Sequence, residues 1–247
     1  MMPYLSRIDL EQIGQRVTKA YCQLPGIRSP SVLKVDIAAL AREVIGLNVE
    51  YHRLSPDRRI LGVTSFFGVS YRVFDDADQQ QEQYVELDGK TILIESTLDA
   101  CSEGRKNFTI AHETSHHILQ MLFPREYGIR YRSDAVHFYR ESGAAGNGAR
   151  DWDEWQADVL ASVILLPTGS VRAAMLKFGL GEKMKRLNRV FAPKEYEKFT
   201  DMAAFMGASK TALALRMMQL GLLEECWLKD PYEMIRIYPD GSEMNLF

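Results

Sequence analysis

Apolar residues recur at helical spacing in four stretches of this chain. Residues 37–45 predict a short helix that ends at Gly46, and residues 108–122 and 151–166 predict two stronger helices, each followed by a proline. An opening helix is predicted by Leu10, Ile13, Val17 and Tyr21. The apolar faces of the two stronger helices are Phe108, Ala111, Ser115, Leu119 and Leu122, and Trp155, Val159, Ser162, Val163 and Leu166.

Strand signals fill the region between the second and third of these helices. Residues 48–53, 60–74, 84–87 and 91–95 are rich in β-branched and aromatic side chains. Asp88 and Gly89 predict a two-residue hairpin turn between the last two strands. The order of elements predicts an α+β fold, in which a small and mostly antiparallel sheet precedes the helix at residues 108–122.

The carboxy-terminal part has helix-turn-helix character. Residues 202–222 predict two helices joined at Gly207, with Ser209 capping the second. A terminal hairpin is predicted within residues 235–247. We therefore expect one domain at residues 1–180 and a helical segment with a terminal hairpin at residues 181–247. A basic stretch opens that segment with Lys183, Lys185, Arg186, Arg189, Lys194 and Lys198.

Composition narrows the class of protein. With 247 residues, 46% hydrophobic and 26% charged, the chain is long enough to bury a sizeable core. A net charge of −3 argues against dependence on bulk attraction to nucleic acid or anionic membrane. Three widely spaced cysteines favour a reducing compartment. No apolar run approaches the roughly 20 residues of a membrane span, and the first ten residues lack a signal core, so we expect a cytoplasmic protein without a membrane partner.

The strongest chemical signal is at residues 112–116, which read His-Glu-Thr-Ser-His. On a helix, His112 and His116 lie one turn apart on one face, and Glu113 is rotated from His112 by about 100°. Two such imidazoles chelate zinc, and the adjacent carboxylate can reach water without binding the metal. A solvated polar face would also explain a helical histidine pair, and His117 need not be a ligand.

A zinc peptidase of the two-histidine type needs a third ligand from another helix, with the fourth position left for water. Glu154 is our candidate. Asp158, one turn later, would accept the free ring N–H of a ligand histidine, and His112 is the preferred donor. Asp151 and Asp153 remain alternative ligands, and Glu154 has a competing interpretation as the second half of a capping box that begins at Asp151.

These residues resemble the signature of the ImmA/IrrE-type metallopeptidases. Residues 108–113, Phe-Thr-Ile-Ala-His-Glu, are similar to its first part, and residues 154–158 leading into Leu-Leu-Pro at 165–167 are similar to its second. The chain departs from the family at Thr114 and Ser115, where Leu-Gly is common, and at Gln156, where the family commonly has a further Glu. The resemblance implies a zincin-like fold and a cytosolic Zn²⁺ endopeptidase, which in several relatives cuts a DNA-binding repressor or similar regulator.

The expected mechanism is metal-assisted hydrolysis of a peptide bond in a protein substrate. Zinc held by His112, His116 and Glu154 would polarise the scissile carbonyl and activate water, and Glu113 would take the proton and pass it to the leaving amine. Residues 68–73 are a candidate strand for holding extended substrate, and they could equally be a paired strand with no ligand. The connection at residues 124–150 is either a surface insertion or a binding loop, and as a binding loop it supplies four candidates for stabilising the oxyanion, Tyr131, His137, Tyr139 and Arg140.

Two other functions remain open at this point. One is a non-catalytic, zinc-containing regulator that binds DNA through Lys210, Arg216 and Gln219 of the predicted second helix. The other is a protein-interaction module in which the metal site senses zinc. We favour DNA binding less than the peptidase, because three residues are few for contacting the phosphates and bases of a duplex.

Overall fold

The computed structural model describes residues 4–27, 33–75, 82–98, 102–126, 136–140 and 152–234. This part of the chain is α+β with a small mixed sheet. The helices are α1 (Arg7–Cys22), α2 (Ile37–Ala39, continued by a π-helical turn at Leu40–Ile45), α3 (Glu103–Leu122), α4 (Trp152–Leu165), α5 (Thr168–Lys177), α6 (Pro193–Phe205) and α7 (Lys210–Gln219). The strands are β1 (Asn48–His52), β2 (Ile60–Thr64), β3 (Gly68–Phe74), β4 (Glu82–Asp88), β5 (Thr91–Glu95), β6 (His137–Arg140), β7 (Met184–Leu187) and β8 (Leu223–Cys226).

The main sheet has the order β1-β5-β2-β6, and α3 packs against it. β1 pairs with β5 in parallel, whereas β5 with β2 and β2 with β6 are antiparallel. Every residue of β5 is buried, so this strand lies in the centre of the core. The expectation of a mostly antiparallel sheet is correct for two of these pairings, and the parallel pair makes the sheet mixed.

The prediction of one strand over residues 60–74 is wrong. The apolar run is interrupted at Ser65, whose hydroxyl donates to Phe67 O at 2.8 Å and accepts from Phe67 N at 3.2 Å. This local turn separates β2 from β3, and the two strands belong to different sheets. β3 pairs with β4 in a two-stranded ladder, so the candidate substrate strand at residues 68–73 lies outside the main sheet.

The predicted hairpin between the last two strands is also wrong. Gly89 does adopt a left-handed turn with φ of 80°, and Asp88 Oδ1 accepts from Lys90 N at 2.8 Å. The chain leaves this turn into another sheet, because β5 is apolar and buried while β4 is largely exposed. Burial on both faces places β5 between β1 and β2 instead of beside β4.

Single helical features differ from the sequence pattern in two places. The sequence pattern predicts Leu122 on the buried face of its helix, but this residue ends α3 and its side chain is 51% exposed. The predicted helix at residues 37–45 is confirmed in position, although most of it is π-helical. It ends as expected at Gly46, which has φ of 78° and whose N–H donates to Arg42 O at 3.1 Å.

The break at Gly207 and the second carboxy-terminal helix follow the prediction, whereas the first helix begins at Pro193, nine residues before the predicted region. α6 and α7 are joined through Gly207, which has φ of 64°, and Ser209 Oγ accepts from Ala212 N at 3.1 Å. The short strand β7 was not predicted, because its buried residues Met184 and Leu187 are separated by two basic side chains. The predicted hairpin at residues 235–247 lies outside the described residues.

One contiguous core joins the helices from both ends of the described chain. Its fully buried side chains come from α1, the sheet, α3, α4 and the last two helices, and include Leu10, Ile94, Leu160, Phe199 and Leu213. Within the described residues no single helix is long and apolar enough to cross a membrane. Taken together, the bent pair formed by α4 and α5 is long and apolar enough to do so by length and composition only.

A buried ion pair fixes α7 against α1. The Arg216 Nη1 and Nη2 atoms donate to Glu11 Oε2 and Oε1 at 2.9 and 3.0 Å, and its Nε donates to Leu166 O at 3.0 Å. The Arg216 side chain is 3% exposed. This guanidinium therefore connects the first helix, the end of α4 and the last helix in one contact.

Replacing this cation tests its contribution to stability. We expect Arg216→Ala to lower the free energy of unfolding by about 3 kcal/mol, because it leaves Glu11 without its partner and opens a buried hole. Denaturant unfolding measures the change. The exposed pair of Lys183 with Glu224 provides the control, since Lys183→Ala removes a contact between solvated side chains. Equal effects of the two substitutions would contradict the assigned role of Arg216.

Candidate metal centre

The histidine pair of α3 is buried. Ser102 caps this helix by accepting from Arg105 N, and the helix then runs across the sheet. His112 and His116 are each 1% exposed, and their ring centroids are 4.8 Å apart. A solvated polar face does not have this burial, so that alternative is wrong. Imidazoles withdrawn from water in this way need polar partners inside the protein.

Glu154 of α4 supplies the third corner of a triangle. His112 Nε2 is 3.2 Å from Glu154 Oε2, His116 Nε2 is 3.4 Å from Glu154 Oε1, and the two Nε2 atoms are 3.1 Å apart. Zinc bonds of about 2.0–2.1 Å place neighbouring corners of a tetrahedral site about 3.4 Å apart. The three side chains therefore have the separations that a single metal ion needs.

Among the described residues, this trio is the group whose ligand atoms converge, all within 4.8 Å of one another. The group can hold a metal ion. Asp153, an alternative ligand, lies buried on α4 beside Glu154 but does not belong to the group. Asp151, the other alternative and the residue needed for a capping box, lies outside the described residues.

Asp158 contacts the far side of the first imidazole. Its Oδ1 lies 2.9 Å from His112 Nδ1, the contact expected from a position one turn after Glu154. A carboxylate at Nδ1 holds the proton there and leaves Nε2 facing the triangle. Burial alone would lower the pKa of His112, but the Asp158 and Glu154 carboxylates raise it overall, to about 10. The three groups thus form a site that favours a positive charge between the carboxylates.

Glu113 lies beside the triangle and is not part of it. It is 1% exposed, and among the described residues neither of its carboxylate oxygens has a hydrogen-bond partner. Burial raises the pKa of Glu113 to about 8, which the nearby charge of His112 opposes and that of Glu154 reinforces. The side chain therefore changes its protonation state close to neutral pH.

Of the oxyanion candidates whose side chains the structure describes, Tyr139 lies against the site. Its ring packs on that of His112, with centroids 4.1 Å apart and planes inclined by 35°. Burial and the negative charges of Asp158, Glu113 and Glu154 raise the pKa of its hydroxyl, which therefore stays protonated. Arg140 is exposed and its guanidinium lies 6.0 Å above the Phe138 ring. Tyr131 is outside the described residues, and His137 is placed only by its backbone in β6.

The third histidine of α3 faces the sheet instead of the triangle. His117 Nε2 lies 2.6 Å from Thr64 Oγ1, and its ring meets Phe66 edge to face at 5.1 Å. Burial lowers the pKa of His117 to about 4, helped by the charge of His116, so its ring is neutral. The sequence leaves open whether His117 is a ligand. Its contact with Thr64, more than fifty residues away, could not be predicted from the residues around it.

Comparisons with known proteins do not assign the chain to a group. No protein-family model matches it, and no curated protein matches its sequence.

Removing a corner of the triangle tests metal binding. We expect His116→Ala and Glu154→Gln each to abolish tight binding of one zinc ion, because two remaining side chains do not close a site with an open position. Isothermal titration of the apoprotein with zinc measures the loss. The matched control is His52→Ala, a partly exposed histidine on β1 that pairs with Glu50. Undiminished one-to-one binding in His116→Ala would exclude this centre.

The contact of Asp158 is tested separately. Asp158→Asn keeps the size of the side chain but weakens its hold on the His112 Nδ1 proton, so zinc affinity should fall by about 10–100-fold. A competition assay with a chelator of known affinity measures the change. An unchanged affinity would show that the imidazole is oriented by its other contacts, such as the Tyr139 ring.

Proposed function

We propose that this chain is a zinc-dependent endopeptidase with a zincin-like fold, of the ImmA/IrrE type that its signature resembles. The observation that carries the proposal is the triangle formed by the buried His112 and His116 with the partly exposed Glu154, beside the Glu113 carboxylate, which has no hydrogen-bond partner among the described residues. Both histidines and Glu113 come from one helix, and Glu154 comes from the next. The cytoplasmic location is part of the same proposal and rests on the composition and the resemblance.

The ligand set supports zinc in a catalytic role. Structural zinc sites have four protein ligands and are rich in cysteine, whereas catalytic sites have three ligands, often two histidines and a glutamate. The described residues offer such a set of three. A zinc ion held by these three residues would polarise a peptide carbonyl as a Lewis acid and would lower the pKa of water toward neutrality.

Glu113 suits the transfer of a proton. A general base works best when its pKa lies near the working pH, and burial brings the pKa of Glu113 to about 8. Its oxygens make no hydrogen bond with the described residues, so they are available to water and then to the amine that leaves. In this mechanism Glu113 accepts a proton from the attacking water and donates it to the nitrogen of the cleaved bond.

Two further side chains prepare the site. Asp158 fixes the ring of His112 through Nδ1, which keeps Nε2 directed into the triangle. Tyr139 packs its ring against that of His112, and its hydroxyl retains its proton. We take this hydroxyl as the hydrogen-bond donor to the substrate carbonyl oxygen. The substrate is a protein, and a repressor-type regulator is the class that the resemblance implies.

The DNA-binding alternative has less support than its sequence pattern indicated. Arg216 is buried against Glu11, so its guanidinium does not face a duplex. Lys210 Nζ lies 3.2 Å from the Tyr196 hydroxyl and 5.5 Å from the centre of that ring. Of the three residues expected to contact DNA, Gln219 alone makes no hydrogen bond or ion pair with another described side chain. The endopeptidase is therefore our preferred function.

The proposal is tested with the Glu113→Gln variant. We expect zinc affinity close to that of the native protein, but peptide cleavage reduced by about 10²–10⁴-fold, because the amide cannot accept the proton. The probe is a library of synthetic peptides incubated with the zinc-loaded protein, and new termini are identified by mass spectrometry. Glu103→Gln is the control on the same helix, since Glu103 is exposed and pairs with Lys34.

Two results would overturn the endopeptidase. One is undiminished cleavage by Glu113→Gln, which would assign the activity to another group or to a contaminant. The other is a lack of zinc-dependent cleavage in the native protein across the library and across candidate regulator proteins. Partner capture that is unchanged in Glu113→Gln, in the absence of cleavage, would favour the interaction module.

A further inference from the structure

Strand β2 runs along the face of α3 that carries Glu113. Two strand residues span about 6.6 Å and four helical residues span about 6 Å, so alternate positions of β2 match successive turns of α3. Thr64 meets His117 in this register, through the 2.6 Å contact of Oγ1 with Nε2. Gly62, two residues earlier, then lies opposite Glu113, one turn before His117.

Gly62 leaves no room for a side chain. A Cβ atom added there would come within 3.0 Å of Glu113 Cδ, closer still to Glu113 Oε1, and within 2.8 Å of Thr109 Cγ2. The backbone at Gly62 is held on both sides, because it pairs with Ile94 of β5 and with Tyr139 of β6. The strand therefore has little freedom to move away from the helix.

The group that would give way is the carboxylate. Thr109 is β-branched, and its hydroxyl donates to Arg105 O at 3.0 Å, which keeps its methyl group in place. Glu113 has three rotatable bonds, and its oxygens have no hydrogen-bond partner among the described residues. Without a hydrogen bond to hold it, the carboxylate depends on packing for its position, and the bare backbone of Gly62 is part of that packing.

We propose that Gly62 is a positioning residue for Glu113. The lack of a side chain at this point of β2 makes the space that the carboxylate occupies, and the contact between Thr64 and His117 keeps the strand in that register. The catalytic consequence rests on the proposed role of Glu113, whereas the contact itself does not. Since a misplacement of about 1 Å can cost on the order of 10²-fold in rate, one methyl group here is enough to separate metal binding from turnover.

The first experiment compares Gly62 of β2 with Gly169 of α5 in the zinc-loaded protein. Gly62→Ala should lower kcat on a library peptide on the order of 10²-fold, with KM and zinc affinity nearly unchanged. Gly169→Ala, on the exposed first turn of α5, should leave all three unchanged, because no described atom lies within 4 Å of its added Cβ. A native kcat in Gly62→Ala would overturn the proposal, and so would a parallel loss of zinc.

The second experiment does not depend on hydrolysis. Gly62→Ala is combined with Glu113→Ala, and the melting temperatures of the native protein, both single variants and the double variant form a cycle. We expect the loss of melting temperature caused by Gly62→Ala to shrink by half or more when the carboxylate is absent. An equal loss in both backgrounds would show that the added methyl group displaces something else.

The cycle also keeps the two proposals distinct. If the native protein cleaves no peptide, the proposed function fails, but the coupling between positions 62 and 113 still decides the contact. If Gly62→Ala alone does not fold, recovery of the fold in the double variant supports the contact. Failure of both to fold, while Glu113→Ala folds, overturns it.

Discussion

The burial of α3 on every side is the constraint on which the rest of the structure depends. Residues 109–119 of this helix are all buried, although most of the central ones are polar. Each such group must find a partner inside the protein or lose the free energy of its hydration. The neighbouring elements therefore have to present polar atoms at the right places, and α4 does so with Glu154 and Asp158 and β2 with Thr64.

Small hydroxyl side chains meet this constraint within the helix itself. Thr114 Oγ1 donates to Ile110 O and Ser115 Oγ donates to Ala111 O, each at 2.7 Å. These bonds to the preceding turn explain how hydroxyl side chains are accommodated at two buried positions of α3. The imidazoles have no such local option, so they depend on Glu154, Asp158 and Thr64 from elsewhere in the chain.

The parts of the site that follow helical periodicity could be predicted from the sequence. The spacing of His112 and His116, and that of Glu154 and Asp158, fixes which side chains share a face, and the structure brings the two pairs together. Their convergence also needs α4 to pack on α3, which local spacing does not determine. The contact of Gly62 with Glu113 could not be predicted from the sequence pattern, because it depends on the absence of a side chain at position 62.

The sheet was predicted less well because strand pairing is a long-range property. The sequence marks most of the strand residues correctly, but a turn at Ser65 and the burial of β5 on both faces decide which strands pair. The same limit applies to Tyr139. It could be named as one of four candidates, and its contact with the His112 ring depends on the pairing of β6 with β2. Local patterns thus identify the chemistry, and tertiary packing determines its arrangement.

The ion pair between Glu11 and Arg216 joins residues that are 205 positions apart in the chain. At the usual rate of synthesis of about 5–20 residues per second, the carboxylate leaves the ribosome roughly 10–40 seconds before the guanidinium that neutralises it. Until then α1 lacks its counter-charge, and the core that it shares with the last helices stays open. The nascent polypeptide therefore completes this core only after residue 216 has been synthesised, and it depends during that interval on solubility or chaperones to avoid aggregation.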